Sequence, residues 1–109
     1  MRIRSIKIAY LTIDDAPSRD FKHKIEYLES KGIKATFFCQ GRFLEERLEE
    51  AVDAIRKGHV IGNHSYDHPR FSEITLEEAE RQIRRTDELI EEAYRLAGVP
   101  RLYRVFRFP

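Results

Sequence analysis

Ile6-Lys7-Ile8-Ala9-Tyr10-Leu11-Thr12-Ile13-Asp14-Asp15-Ala16-Pro17 is the stretch on which the fold turns. Its first part, Ile6 to Ile13, is rich in β-branched and aromatic residues and short enough to be a buried strand. The run stops at two adjacent carboxylates, and Pro17 bars the strand from continuing. Successive strand residues point to opposite faces, so Asp14 and Asp15 can share a site only where the strand is already ending.

Outward from that stretch the chain alternates. Ser18 is the expected N-cap of a helix through Lys31, with Phe21, Ile25 and Leu28 as its buried stripe and Gly32 closing it. Lys34 to Gln40 reads as a second strand broken by Gly41. A second helix is expected from Phe43 to Lys57, with Phe43, Leu44, Leu48, Val52 and Ile55 facing inward and Gly58 ending it. His59 to Gly62 is a very short strand that runs into the polar loop Asn63-His64-Ser65-Tyr66-Asp67-His68-Pro69. Thr75-Leu76-Glu77-Glu78 has the form of a capping box. It opens a helix whose apolar positions Leu76, Ala79, Ile83, Ile90, Ala93 and Ala97 recur up to Gly98 and Pro100. Leu102 to Phe108 reads as a fourth strand.

The expected fold is therefore α/β: a parallel βαβαβαβ sheet with right-handed crossovers, forming one domain over residues 1–109. In such sheets ligands bind at the carboxyl ends of the strands. Asp14 and Asp15 end strand one, His64 and His68 follow strand three, and Arg107 ends strand four, so all of them fall on one rim.

Charge and composition exclude several classes of partner. A formal charge of +1 gives no reason to expect nucleic acid or an anionic membrane. Arg104 to Phe108 interleaves basic and aromatic residues, as a base-stacking surface does, but a half-buried strand shows the same alternation. Charged residues are dense on the helical segments, which either a thermophilic source or ordinary solvated helix faces would explain. The single cysteine, Cys39, can form no internal disulfide and lies in an apolar strand pattern. No run approaches the roughly 18 apolar residues of a membrane span, and no signal sequence opens the chain. The default location is the cytoplasm, with secretion or the cell envelope following if a leader has been removed.

The polar clusters have ordinary readings when taken singly. Asp-Asp before Pro is a common strand stop or helix cap, and a His-x-x-x-His pair arises often by chance. Together they are harder to dismiss. His64 and His68 with a carboxylate from another strand form a 2-His-1-carboxylate set, which holds a divalent ion and leaves positions open. Arg107, at a strand end beside two aspartates, is suited to pair with and orient a carboxylate. His23 and His59 lack such partners and read as solvated or capping residues.

Thr12-Ile13-Asp14-Asp15-Ala16-Pro17, His64-Ser65-Tyr66-Asp67-His68 and Arg104-Val105-Phe106-Arg107-Phe108-Pro109 resemble, in order and placement, the first three motifs of the polysaccharide deacetylase family, also called the NodB-homology or carbohydrate esterase 4 family. The phrase Lys34-Ala35-Thr36-Phe37-Phe38 is similar too. The resemblance implies a metal-dependent hydrolase that releases acetate from N-acetylated amino-sugar polymers. In it Asp15, His64 and His68 would hold a divalent metal, usually zinc, Asp14 would be the general base, and Arg107 would hold and tune Asp14. Ile13 and Ala16 replace the family's usual Phe and Gly, and Ala16 fits only with a negative φ.

The family fold is a distorted (β/α) barrel, of which this chain resembles the first half. The family's later motifs, including the Leu-x-His that supplies the general acid, would lie beyond Pro109. Four parallel strands cannot close a barrel, so an open apolar sheet face is expected to recruit a partner: a second copy, or the missing carboxyl-terminal half. Three other readings share these residues: a metal-binding half-barrel without turnover, an assembly module with a vestigial rim, and a hydrolase of other non-peptide C–N bonds such as cyclic imides.

Overall fold

The computed structural model describes residues 7–109. In chain order the elements are β1 (Leu11–Ala16), α1 (Phe21–Ser30), β2 (Ala35–Cys39), α2 (Gly41–Glu46), α3 (Leu48–Arg56), β3 (Val60–Asn63), a 3-10 turn (Phe71–Glu73) and α4 (Leu76–Ala97). The three strands form a parallel sheet in the order β1-β2-β3, with Leu11 opposite Ala35 and Thr36 opposite Val60. Parallel strands joined through helices are what the alternating pattern predicts.

One face of the sheet carries the core. Ala35, Phe37 and Cys39 of β2 and Ile61 of β3 point into it, against Phe21, Ile25 and Leu28 of α1, Leu44 of α2, and Ala51, Val52, Ala54 and Ile55 of α3. Ile90, Ala93 and Tyr94 of α4 complete it, and the Phe37 ring meets Phe21 edge-on at 4.9 Å. The alternate residues Thr12, Asp14, Thr36, Phe38, Val60 and Gly62 face the other way. That second face is where a closed barrel would have its interior.

Strand limits differ from the expectation. The first strand begins at Leu11 rather than Ile6 and runs on through both aspartates. Ile6 itself lies outside the described residues. Lys7 to Tyr10 stay unpaired because β2 starts only at Ala35, the partner of Leu11, and Ile8 and Tyr10 are exposed. Leu102–Phe108 is not a full fourth strand. It makes one parallel bridge, Phe106 to Asn63, with Asn63 N donating to the Val105 carbonyl (2.9 Å) and Arg107 N donating to the Asn63 carbonyl (2.9 Å). Pairing goes no further because β3 has only four residues and the chain then turns into the histidine loop.

Helix limits also shift. α1 starts at Phe21 with Asp20 as N-cap, and Ser18 instead donates from its hydroxyl to Asp20 Oδ1 (2.7 Å). It ends as expected, with Gly32 at φ +65° and Ile33 N donating back to the Leu28 carbonyl (2.9 Å). The single helix expected from Phe43 to Lys57 is two, broken at Arg47 (φ −132°, ψ 41°). Gly41 is the first residue of α2, not a breaker before it. A Cβ at Gly41 would lie 2.5 Å from Thr86 Oγ1 and 2.6 Å from Tyr66 Cδ2, so only glycine lets α4 and the histidine loop approach there.

In α4, Thr75 Oγ1 accepts from Glu78 N (3.1 Å), but the Glu78 carboxylate turns to Arg81 and Gln82, so only half of the capping box forms. The buried stripe is Gln82, Thr86, Ile90, Ala93 and Tyr94, whereas Leu76 is exposed. The Tyr94 hydroxyl accepts from Ile61 N (3.1 Å) and so satisfies part of the outer edge of β3. Arg101, half-buried as a residue but with its side chain covered, forks onto Asp87 (2.6 Å) and Glu91 (2.7 Å) of α4 and so holds the carboxyl-terminal segment beside that edge. No described helix is long and apolar enough to cross a membrane.

His59 is neither solvated nor a cap. Its ring is buried against Phe37, and Nδ1 accepts from Ala35 N (3.1 Å), tying β2 to the start of β3. Burial, reinforced by the nearby Lys34 charge, holds its pKa below the ordinary value of 6.5.

Two predictions follow from this packing. Gly41→Ala should destabilise the chain by about 1–3 kcal/mol, measured as a lower urea midpoint. Because folding favours neutral His59, its contribution is complete above pH 6.5 and is lost as pH falls below that value. The urea midpoint should therefore drop from pH 7 to pH 5, and less steeply in His59→Gln.

Candidate metal centre

The site starts from a mismatch between β1 and β2. Asp14 pairs with Phe38 and Ala16 with Cys39, so Asp15 is an extra residue with no partner of its own. It takes φ +61°, a left-handed conformation that Asp tolerates better than most residues. The bulge breaks the strict alternation of side chains and re-aims Asp15. Ala16 avoids the left-handed region, so its Cβ causes no strain there. Asp14 stays on the inner face, where its Oδ1 accepts from Arg107 Nη1 (2.9 Å). Asp15 Oδ1 instead lies 3.7 Å from His64 Nε2 and 3.8 Å from His68 Nε2.

The histidine loop is held by side chains, not by regular secondary structure. Its four backbone N–H groups from Ser65 to His68 all end on side-chain oxygens. Ser65 N donates to Asn63 Oδ1 (3.0 Å), Tyr66 N and Asp67 N to Gln82 Oε1 (2.7 and 3.1 Å), and His68 N to Ser65 Oγ (3.1 Å). Gln82 Nε2 returns a bond to Asp67 Oδ1 (2.7 Å), and Asn63 Nδ2 donates to the Ile83 carbonyl (2.9 Å). Gly41 N and Arg42 N donate to the carbonyls of Ser65 (2.9 Å) and Tyr66 (3.0 Å). Ser65 (φ +69°) and His68 (φ +65°) are both left-handed, a conformation unfavourable enough to need such bracing.

His64 is buried, and its Nδ1 lies 2.8 Å from the Arg107 carbonyl. A carbonyl only accepts, so Nδ1 carries a proton and Nε2 is the nitrogen left to face Asp15 and bind a metal. The His68 ring is partly exposed and meets His64 edge-on at 4.9 Å. The donor atoms of Asp15, His64 and His68 all lie within 4.8 Å of one another. Ligand atoms bonded to one tetrahedral zinc at about 2.0–2.1 Å sit about 3.4 Å apart, so small side-chain adjustments suffice. Two imidazoles and a carboxylate are also the right donor chemistry for a divalent ion, and the three residues fit one.

Arg107 connects both halves of the site. Its guanidinium lies over the Phe38 ring at 4.2 Å, and Nη1 also donates to Thr12 Oγ1 (3.1 Å). Its carbonyl fixes His64 while its side chain fixes Asp14. Arg104 and Asp67 are not in the cluster: Arg104 pairs with Glu91 (2.6 Å) and Asp67 with Gln82. His23 is exposed on α1, as expected, and His59 lies at the opposite end of the sheet.

Two residues important to the site have no motif. Buried Gln40 donates from Nε2 to Asp15 Oδ1 (2.7 Å), and Gln82 clasps the loop between the histidines. The only trace of Gln82 in the sequence is its position, four residues before Thr86 and eight before Ile90 on one helix face.

Comparison with known proteins converges on one family. Residues 2–109 match the profile of the family described as polysaccharide deacetylase. A peptidoglycan-N-acetylglucosamine deacetylase of Bacillus cereus is 39% identical over 89 residues, which are 81% of this chain and 31% of the relative. A chitooligosaccharide deacetylase of Azorhizobium caulinodans is 36% identical over 83 residues, 75% of this chain and 40% of the relative. Among solved structures, a family 4 carbohydrate esterase from Streptomyces lividans in complex with acetate superposes with a TM-score of 0.81 at 29% identity, over 92% of this chain and 50% of that one. The chain thus spans about a third of the length of the Bacillus relative and about half of the Streptomyces structure, matching a partial barrel. With the profile running through all three rim motifs and the parallel βα architecture in common, the chain belongs to the polysaccharide deacetylase family.

Proposed function

We propose that this chain carries the metal- and water-handling part of a hydrolase that removes N-acetyl groups from amino-sugar polymers. Asp15, His64 and His68 hold a divalent ion, zinc by donor type, Asp14 is the general base, and Arg107 orients it. The observation that carries this reading is the unlike bonding of two adjacent carboxylates. Asp14 faces a guanidinium, whereas Asp15 Oδ1 takes a neutral amide and sits between two imidazole nitrogens. A cation drawn to this rim finds its uncompensated negative charge on Asp15. Asp14, with its charge already paired, is left for proton transfer.

A divalent ion held by Asp15, His64 and His68 would supply Lewis-acid polarisation of the acetamide carbonyl and would make a bound water more acidic. The chain's own residues do the rest. Arg107 fixes Asp14 through Oδ1, leaving Oδ2 to take the proton of the attacking water. Attack at the carbonyl carbon and cleavage of the C–N bond give acetate and a free amino sugar. His64 and His68 are both committed as ligands, so neither protonates the leaving amine; the one proton that amine needs is the one Asp14 took from the water, returned by Asp14 directly or relayed through a further acid of the assembled enzyme.

The names of the relatives, which specify peptidoglycan N-acetylglucosamine and chitooligosaccharides, support an N-acetylated sugar polymer as substrate. The inner sheet face, with a groove of about 460 Å³ lined by residues including Leu11, Phe38, Val60 and Val105, is assigned to further polypeptide, either a second copy or the remainder of a barrel.

Metal titration and acetate release test the assignment. His64→Ala or His68→Ala should weaken zinc binding at least about tenfold. Asp14→Asn should keep zinc and lower acetate release from chito-oligomers by about 10²–10⁴-fold in the assembled enzyme. Loss of zinc in Asp14→Asn with retention in Asp15→Asn would reverse the two roles. Turnover of cyclic imides but not acetylated sugars would move the substrate class.

A further inference from the structure

We infer that Gln40 is a positioning residue that sets the Asp15 carboxylate for the metal without neutralising its charge; this rests on the metal-site reading above. Gln40 follows β2 directly, and its backbone is fixed on both sides. Its N–H donates to the Ala16 carbonyl (3.2 Å), just past the bulge, and its own carbonyl accepts from Phe43 N and Leu44 N (both 3.1 Å) at the start of α2. The residue is 4% exposed, and both ends of its side-chain amide are engaged. Nε2 donates to Asp15 Oδ1 (2.7 Å), and Oε1 accepts from Arg42 Nε (2.9 Å). A carboxylate requires the NH₂ end and a guanidinium the carbonyl end, so the two neighbours leave one amide orientation.

The oxygen that Gln40 holds is the same one that faces both imidazoles. A lone carboxylate on a left-handed bulge could rotate away from them; the amide bond stops that rotation. An arginine or lysine here would orient Asp15 equally well but would pair with its charge and oppose a cation. The guanidinium is instead kept one amide away, on Arg42, which lies over the Phe43 ring (4.6 Å) and meets Gln40 at the far end of its amide. Ligating carboxylates commonly need an outer partner of this kind, and its loss typically weakens metal binding 10- to 100-fold.

The test is zinc affinity, by competition with a chromophoric chelator, together with the visible absorption of the cobalt-loaded chain. Gln40→Met removes the donor at similar length and should weaken zinc about 10- to 100-fold and alter the cobalt band. Gln40→Lys should weaken it further, because it places a cation against Asp15. Arg42→Met, an exposed substitution outside the core, should give a smaller loss with an unchanged metal-free melting temperature; where the Gln40 variants fold poorly, wild-type zinc affinity and cobalt spectrum in Arg42→Met alone overturn the inference. Wild-type affinity and spectrum in both Gln40→Met and Arg42→Met overturn it, as do equal losses in the Met and Lys variants at position 40. A wild-type chain that binds no zinc overturns the metal-site reading itself.

Discussion

The geometry of the rim depends on β1 and β2 falling out of step by one residue at Asp15. In a regular strand Asp14 and Asp15 would point to opposite faces of the sheet, and one would be lost to the core side. The unpaired, left-handed Asp15 keeps both at the rim but sends them to different partners, Arg107 and the histidine pair. Asp suits the position because it tolerates positive φ and is itself the group being aimed. The local backbone cost is offset by fixed partners on each side, the Gln40 amide bond to its carboxylate and the Gln40 N–H bond to the Ala16 carbonyl.

α4 braces the other half of the site. A helix that only filled the core would bury Leu and Ile where this one buries Gln82 and Thr86. Buried amides are costly unless satisfied, and Gln82 is satisfied at both ends by the loop between His64 and His68 and by Glu78. Thr86 is small enough to sit beside Gly41, whose missing Cβ lets α2, the loop and α4 meet. The core and the candidate metal centre therefore share supporting residues. A change at Gly41 or Gln82 should be felt in both stability and metal binding.

Much of this was legible in the sequence. Alternating strand and helix patterns, the glycines at 32, 58 and 98, and the three rim motifs led to a parallel α/β sheet with its polar residues at one end. The family resemblance rested on those same motifs and is the family now established. The errors have physical causes. Ile6 to Ile13 is apolar enough for a strand, but strands exist only where a partner runs alongside, and β2 begins too late for Lys7 to Tyr10. Leu102 to Phe108 alternates like a strand, yet β3 offers it only Asn63. The apolar periodicity of α4 pointed to Leu76 and Ile83, whereas hydrogen bonding to a loop sixteen residues away drew Gln82 inward. His59, which reads as a solvated or capping residue, is held in the core by packing against Phe37 and a bond from Ala35 N. Gln40 carries no periodicity or motif, because its role comes from a bulge in the neighbouring strand.

The central claim is that Asp15, His64 and His68 are ligands while Asp14 stays paired with Arg107. The most direct measurement is a crystal structure of the zinc-soaked chain with an anomalous difference map at the zinc edge. The account predicts one peak, bonded to an Asp15 oxygen and to Nε2 of both histidines, with the Arg107–Asp14 ion pair intact and His64 Nδ1 still on the Arg107 carbonyl. A peak bonded to Asp14 instead of Asp15, or to His64 through Nδ1, or no peak at this rim, would contradict it.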